Sequence, residues 1–473
     1  MGSLFQKESI TNTIYITLSQ LISLVLSILL TFILPLIISI ENFGYWQIYI
    51  LYVTYVGILT LGFNDGIYLK YGHLNIDQLP FKLIRTSMLI YLLVLIIETL
   101  IFITLIILFE SNEKLFIFYM VGINIIIMGL NGTFSMILLT TNQMKKYSLT
   151  IIVNRVLLFF PVIILLLFKF DNYKIIIYGD IFAKIVVCII SAIFLKDIIK
   201  GSYKVTKKSI KEYLNNISVG FYLLLANLSG MLILGVGRIL VERFSTIEQY
   251  SIYSFGISVA NIILVFISSL SLVLYPTLKR LPNENLGKYF DQVNIILRIL
   301  IFSSFFLYFF VDIFIVKLLP NYVQIFTYLP YLFLIISFQS KIQLLNNTFY
   351  KALREEKSMF KANIYSLILF ISIAVPVFYF TESIILLVFI TLIINLLRSY
   401  SSEYYLSKKL NVFRFKNFFW EIIYMTTFLV STLLFSKNIA ITIMFIVYMI
   451  FIYYNKKVFR QISKKITGKM VKN

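Results

Sequence analysis

Fourteen apolar runs divide this chain, each about as long as the ~20 residues an α-helix needs to cross a bilayer. They lie near 14–38, 43–63, 83–109, 115–141, 149–168, 174–194, 216–240, 249–275, 290–318, 323–345, 362–380, 383–407, 417–436 and 438–455. The gaps between them are short, and positive charge is distributed over them unevenly. Of 42 Lys and Arg, 32 fall in the N-terminal tail, the even-numbered gaps and the C-terminal tail. The odd gaps hold only Lys114, Lys169, Lys174, Arg243, Lys317 and Lys437, and Arg155, Lys184, Arg238 and Lys341 lie inside runs. Because Lys and Arg stay on the cytosolic side of short loops, the alternation predicts an all-α integral membrane protein of about 14 transmembrane helices. Both termini face the cytosol.

Composition agrees. The chain is 60% hydrophobic with mean hydropathy +0.92, more than a soluble core requires. A net charge of +21 raises nucleic acid as a partner, but that reading needs a basic face on a soluble domain. Here the charge is spread over loops, so no nucleic acid is expected. The basic tail at 456–473 reads as an orientation signal that also meets anionic membrane lipids. One cysteine, Cys188, excludes intramolecular disulfides. The single histidine, His73, stands in a loop with no Cys or acidic cluster, so no metal site is expected. There is no phosphate-binding loop of the ATPase type, no loop long enough to house an active site, and no cofactor signature. The chain is not expected to be an enzyme.

The longest gap, 195–215, carries Lys196, Lys200, Lys204, Lys207, Lys208 and Lys211 and reads as a cytosolic linker between two halves. A short repeat supports that division. Thr246 to Ile257 (TIEQYSIYSFGI) resembles Ser39 to Ile50 (SIENFGYWQIYI), each joining the first helix of its half to the second. Six helices separate the copies, so the halves share one orientation. Parallel repeats of this kind in transporters place the substrate site at their interface. The expected organisation is an N-terminal lobe at 1–194, the linker, a C-terminal lobe at 216–410, two helices outside the repeat at 411–455, and the basic tail.

A charge near the membrane centre costs at least a few kcal/mol on insertion scales, and usually faces a cavity or a partner. Five cations meet that description: Arg155, Lys184, Arg238, Arg298 and Lys341. Asp180 precedes Lys184 by one helical turn and can pair with it. Asn294 and Asp291 share a helix face with Arg298, and Arg155, Arg238 and Lys341 lie within snorkelling reach of an interface. Taken together the cations outnumber nearby acids, and a cavity lined this way suits an anionic headgroup such as a diphosphate. Neutral polar stripes follow. Gln20, Ser23, Ser27 and Thr31 share one face of the first helix, Asn124 and Asn131 one face of the fourth, and Asn227 lies in the seventh. Such groups serve close helix packing or line a sugar-binding chamber. Glu98 stands alone in the middle of the third helix. It reads either as a coupling group that exchanges a proton or cation, or as a structural carboxyl that is permanently neutral or paired with a cation on another helix such as Lys184. Pro35, Pro161 and Pro376 lie within runs, where proline kinks a membrane helix without ending it.

Several stretches resemble a known family: Leu34-Pro35 with Glu41 to Trp46, Leu61 to Gly66, and Lys70-Tyr71-Gly72. In the second half Gly237-Arg238, Glu248 to Tyr253, Tyr275-Pro276 and the loop Lys351 to Lys357 look similar too. The family is the bacterial polysaccharide flippases of the multidrug/oligosaccharidyl-lipid/polysaccharide exporter superfamily. The family often has an acid before the arginine ending helix seven; Gly237 stands there instead. The resemblance implies two six-helix lobes around a central cavity that opens alternately to either side. The implied cargo is an oligosaccharide repeat unit on undecaprenyl diphosphate. It would move from inner to outer leaflet of the plasma membrane for O-antigen (lipopolysaccharide), capsule or related polymers. Partners would be a polysaccharide polymerase and glycosyltransferases. Two alternatives within the superfamily are a cation-coupled multidrug antiporter and a lipid II flippase. Cation-coupled drug exporters of the superfamily typically use acids within the first lobe, often on helix one, which has none here, and cavity cations would repel cationic drugs.

Overall fold

The computed structural model describes residues 2–72, 74–109, 112–279, 283–412 and 415–456. His73 and the basic tail beyond Lys456 lie outside the described residues. Every regular element among the described residues is helical. Eleven helices are long and apolar enough to cross a membrane; two further spans are bent, and Phe418–Leu434 is a shorter apolar helix. These account for the fourteen runs one for one.

In chain order the spans are α1 (Gly2–Ile37), α2 (Ile40–Tyr55, then Phe63–Tyr71), α3 (Phe81–Phe109), α4 (Asn112–Thr140), α5 (Met144–Phe168) and α6 (Tyr173–Phe194). There follow α7 (Lys207–Phe244), α8 (Ile247–Lys279), α9 (Asn283–Ser304, then Phe306–Leu318) and α10 (Pro320–Thr327, then Leu329–Ala352). The last four are α11 (Glu356–Thr381), α12 (Ile384–Lys409), α13 (Phe415–Leu434) and α14 (Lys437–Tyr454). The helices run through Pro35, Pro161 and Pro376 without ending. Large apolar side chains such as Leu108, Phe160, Phe310 and Phe380 are exposed, as lipid-facing surfaces require.

Contacts divide the chain into two compact units, Met1–Phe255 with Asn363–Ile371, and Gly256–Ala362 with Ser372–Asn473. The first unit therefore holds α7 together with α1 to α6. Its packing there follows from glycine. Leu61 and Gly62 are both left-handed (φ 51° and 87°), which stops the helix and bends α2 by 58°. The second segment of α2 then lies backbone to backbone on α7. A Cβ on Gly66 would stand 1.9 Å from the Asn216 carbonyl oxygen, and one on Gly220 2.0 Å from that of Gly62.

The repeated stretches start α2 and α8 in the same way. The Ser39 hydroxyl accepts from the Asn42 amide at 3.3 Å, and the Thr246 hydroxyl from the Gln249 amide at 3.2 Å. Each cap satisfies a donor that the first turn leaves open. The two starts also touch: a Cβ on Gly44 would come within 2.9 Å of the Ile247 side chain.

Candidate functional site

In the first unit, α2, α4 and α6 bring four polar side chains into a closed ring. Asp180 and Lys184 are one turn apart on α6, which sets Lys184 Nζ 2.5 Å from Asp180 Oδ2. Tyr49 on α2 donates to the same carboxylate oxygen at 2.6 Å, and Lys184 donates to Asn124 Oδ1 on α4 at 2.9 Å. Asn124 Nδ2 donates back to the Tyr49 hydroxyl at 2.8 Å and to the Met120 carbonyl. All four groups are thereby satisfied and the ring carries no net charge, the condition for keeping such groups in a membrane interior. Two turns along α4, Asn131 donates to the Lys184 carbonyl at 2.9 Å, while its own Oδ1 is buried without a hydrogen-bond partner.

Arg155 on α5 is held differently. Its Nε donates to the Ser23 hydroxyl of α1 at 3.0 Å, and it forms no ion pair among the described residues. Of the first-helix stripe, Ser23 is the member that engages a cation. Ser27 and Thr31 donate to carbonyls one turn back on their own helix, and Gln20 is half-buried.

Near the end of α7, Arg238 Nη2 donates to the carbonyl and side-chain oxygens of Gln47 at 3.3 and 3.2 Å and to the Tyr250 hydroxyl at 3.3 Å. Its Nε is buried without a partner. The acid one turn further, Glu242, is engaged by Lys114, by Tyr52 at 2.9 Å and by Arg243 at 3.4 Å. At the other end of α7, Glu212 accepts from Lys70 at 2.6 Å and from Tyr71 at 2.5 Å. Asn227, between these clusters, is half-buried and makes no hydrogen bond among the described residues.

The second unit gathers Arg298 and Lys341 as one buried quartet with two acids, Glu403 on α12 and Glu421 on α13. Lys341 on α10 lies 2.5 Å from a carboxylate oxygen of each. Arg298 on α9 reaches Glu403 at 3.2 Å and Glu421 at 3.6 Å. Asn294, one turn before Arg298, also donates to Glu403. All four charged side chains are at most 3% exposed. Two cations and two carboxylates cancel. The geometry thus places these cations in a neutralised network tying α9, α10, α12 and α13 together, where the sequence suggested an excess of positive charge. Lys184, paired with Asp180, is neutral in the same sense. Arg155 and Arg238 keep their charge uncompensated by any carboxylate pair among the described residues.

Glu98 lies partly buried on α3 with Oε2 lacking any hydrogen-bond partner. Lys184, the cation proposed for it, is occupied by Asp180. Among the described residues no group of three or more His, Cys, Asp or Glu is arranged to hold a metal ion.

Glu403, Glu421 and Tyr49 escaped the sequence reading. Glu421 stands inside an apolar run and was open to the rule that singled out Arg298. Tyr49 offered no such signal, since tyrosine is common in these runs.

Comparison with known proteins places this geometry in context. Residues 9–282 match the family described as "Polysaccharide biosynthesis protein". No curated protein sequence matches the chain. Among solved structures, the lipid II flippase MurJ in an inward closed conformation aligns with a TM-score of 0.63 at 14% identity, covering 95% of this chain and all 100% of its own. An outward-facing multidrug resistance MATE family transporter of the MOP superfamily aligns at 0.61 with 10% identity, covering 85% of this chain and 95% of that one. An inward-facing MATE family transporter gives 0.58 at 11% identity, over 83% and 99%. Likeness at such identity carries the fold alone.

Proposed function

Because this chain belongs to the polysaccharide biosynthesis protein family, we propose that it is a flippase for undecaprenyl-diphosphate-linked oligosaccharide repeat units. It carries them from the inner to the outer leaflet of the bacterial plasma membrane by alternating access, with both termini in the cytosol. The cargo feeds a polysaccharide polymerase and is supplied by glycosyltransferases. The observation that carries this reading beyond the family is Arg155. A guanidinium placed deep in a membrane helix, with a serine hydroxyl as its partner and no ion pair, has bidentate donors left for a diphosphate. The open Asn131 Oδ1 and Asn227 offer the neutral acceptors and donors that sugar hydroxyls require. Of the five cations singled out in the sequence, Arg238 is the second without an ion pair among the described residues.

The test is transport. Arg155→Ala should abolish surface polymer at near-normal protein level, and Arg155→Lys should restore part of it, since the charge returns without the planar fork. Purified protein in vesicles should move a fluorescent polyprenyl-diphosphate oligosaccharide between leaflets. Full export by Arg155→Ala would remove the diphosphate from this residue. Transport of lipid II with no transport of the repeat unit would reassign the cargo to the alternative flippase activity.

A further inference from the structure

A crevice of about 300 Å³ opens in the first unit between α3, α4 and α6, close to the ends that adjoin the 195–215 linker. Its walls are apolar and include Leu89, Leu92, Leu130, Phe134 and Ile189. Seven residues separate Arg85 from Leu92 on α3, so the crevice runs roughly 10 Å along the helix at a rise of 1.5 Å per residue. Its one charged lining residue is Arg85, which is 8% exposed.

The guanidinium is fixed by the chain that follows α6. Nε donates to the Ile198 carbonyl at 2.6 Å and Nη2 to the Asp197 carbonyl at 3.2 Å, and the Tyr203 ring lies 5.9 Å away. Gly201, at φ 134°, lets that chain pass: a Cβ there would stand 2.0 Å from Nη1. Carbonyl dipoles orient Arg85 but do not neutralise it, and it forms no ion pair among the described residues. A buried cation without a counter-charge is costly. Beside the lining residues Ile198, Ile199 and Tyr203 in the chain, Lys196, Lys200 and Lys204 are exposed, with the single acid Asp197 among them. A cluster of lysines beside a membrane helix attracts anionic headgroups. An apolar slot ending on a positioned guanidinium, in a stretch of chain rich in exposed lysines, has the complement of a lipid with a negative head.

We propose that the crevice is a binding site for an anionic phospholipid from the leaflet on the linker side. One acyl chain occupies the slot between Leu92 and Leu130, and the phosphate supplies the counter-charge of Arg85. Zwitterionic lipid can fill the slot but brings no net charge to the mouth. This site is separate from Arg155 and the Asn124 ring and does not depend on the identity of the transported cargo.

Cys188 lines the same crevice and is the chain's only cysteine, so it reports occupancy directly. The full-length protein is reconstituted in dioleoylphosphatidylcholine vesicles with or without dioleoylphosphatidylglycerol, and the rate of its modification by N-ethylmaleimide is measured. Phosphatidylglycerol should slow the reaction roughly tenfold, the scale of one charge-assisted contact. Arg85→Gln should remove that dependence, and Arg85→Lys should retain part of it. Equal wild-type rates in the two lipids would overturn the proposal, as would phosphatidylglycerol protection that survives in Arg85→Gln. Should Arg85→Gln not fold, Gly201→Ala displaces the guanidinium instead, and undiminished protection there overturns the proposal equally. Protection by undecaprenyl phosphate in phosphatidylcholine alone, matching that of phosphatidylglycerol, would give the slot to the carrier lipid and refute a phospholipid site.

Discussion

Lys341→Met tests the buried quartet most sharply. Lys341 lies 2.5 Å from both Glu403 and Glu421. At an effective dielectric of about 20, each contact is worth roughly 7 kcal/mol before desolvation. Withdrawing the ammonium from water takes back several kcal/mol, so the net worth is far smaller than the sum. Its removal nevertheless leaves two buried carboxylates facing one guanidinium at 3.2 and 3.6 Å. A buried pair broken from one side typically loses about 3–5 kcal/mol, a large share of the 5–15 kcal/mol that holds a typical domain folded. Lys341→Met should therefore lower the midpoint of thermal unfolding by several degrees, read by size-exclusion monodispersity after heating in detergent. Lys341→Met combined with Glu421→Leu restores neutrality around the remaining Arg298–Glu403 pair. That double variant should recover most of the lost stability. If the single variant unfolds at the wild-type temperature, or the double is no better than the single, the quartet is not what holds α13 to the second unit.

Three further outcomes follow from the same geometry. With Cys188 replaced by serine, cysteines introduced in the 195–215 linker should be labelled only from the cytosolic side and those near Glu382 only from outside; outside labelling of the linker in intact cells would reverse the proposed orientation. Gly66→Ala places a methyl 1.9 Å from a backbone oxygen with no side chain able to yield, so it should cost about 1–3 kcal/mol, the usual toll of overpacking, seen as a lower thermal midpoint or lost expression. Glu98→Gln should abolish any dependence of flipping on an imposed proton or sodium gradient while leaving the fold intact; full gradient dependence in that variant would make Glu98 structural.

What was legible in the sequence, and what was not, divides by distance along the chain. Apolar runs and alternating charge are local quantities, and all fourteen runs appear as helices where hydropathy put them, including the bent α2 and α10. The Asp180–Lys184 pair is one helical turn apart, within reach of helix-face reasoning. Its other partners are not: Tyr49 lies 131 residues from Asp180, and Glu403 lies 105 from Arg298. Intramembrane charges read helix by helix look like an excess of cations, because the neutralising acid sits on another helix. Three of the five cations prove to be paired, Arg298 and Lys341 by acids on other helices and Lys184 by Asp180 on its own, and the two that remain, Arg155 and Arg238, form the sharper candidate set. The placement of α7 with the first unit rests on backbone contact, which hydropathy does not register. Its signature was nevertheless present: Gly62 and Gly66 form the small-x-x-x-small spacing that lets membrane helices approach closely. Gly220 on α7 supplies the matching gap. A polar or apolar pattern tells which face of a helix is buried; the absence of a side chain tells where another backbone must come.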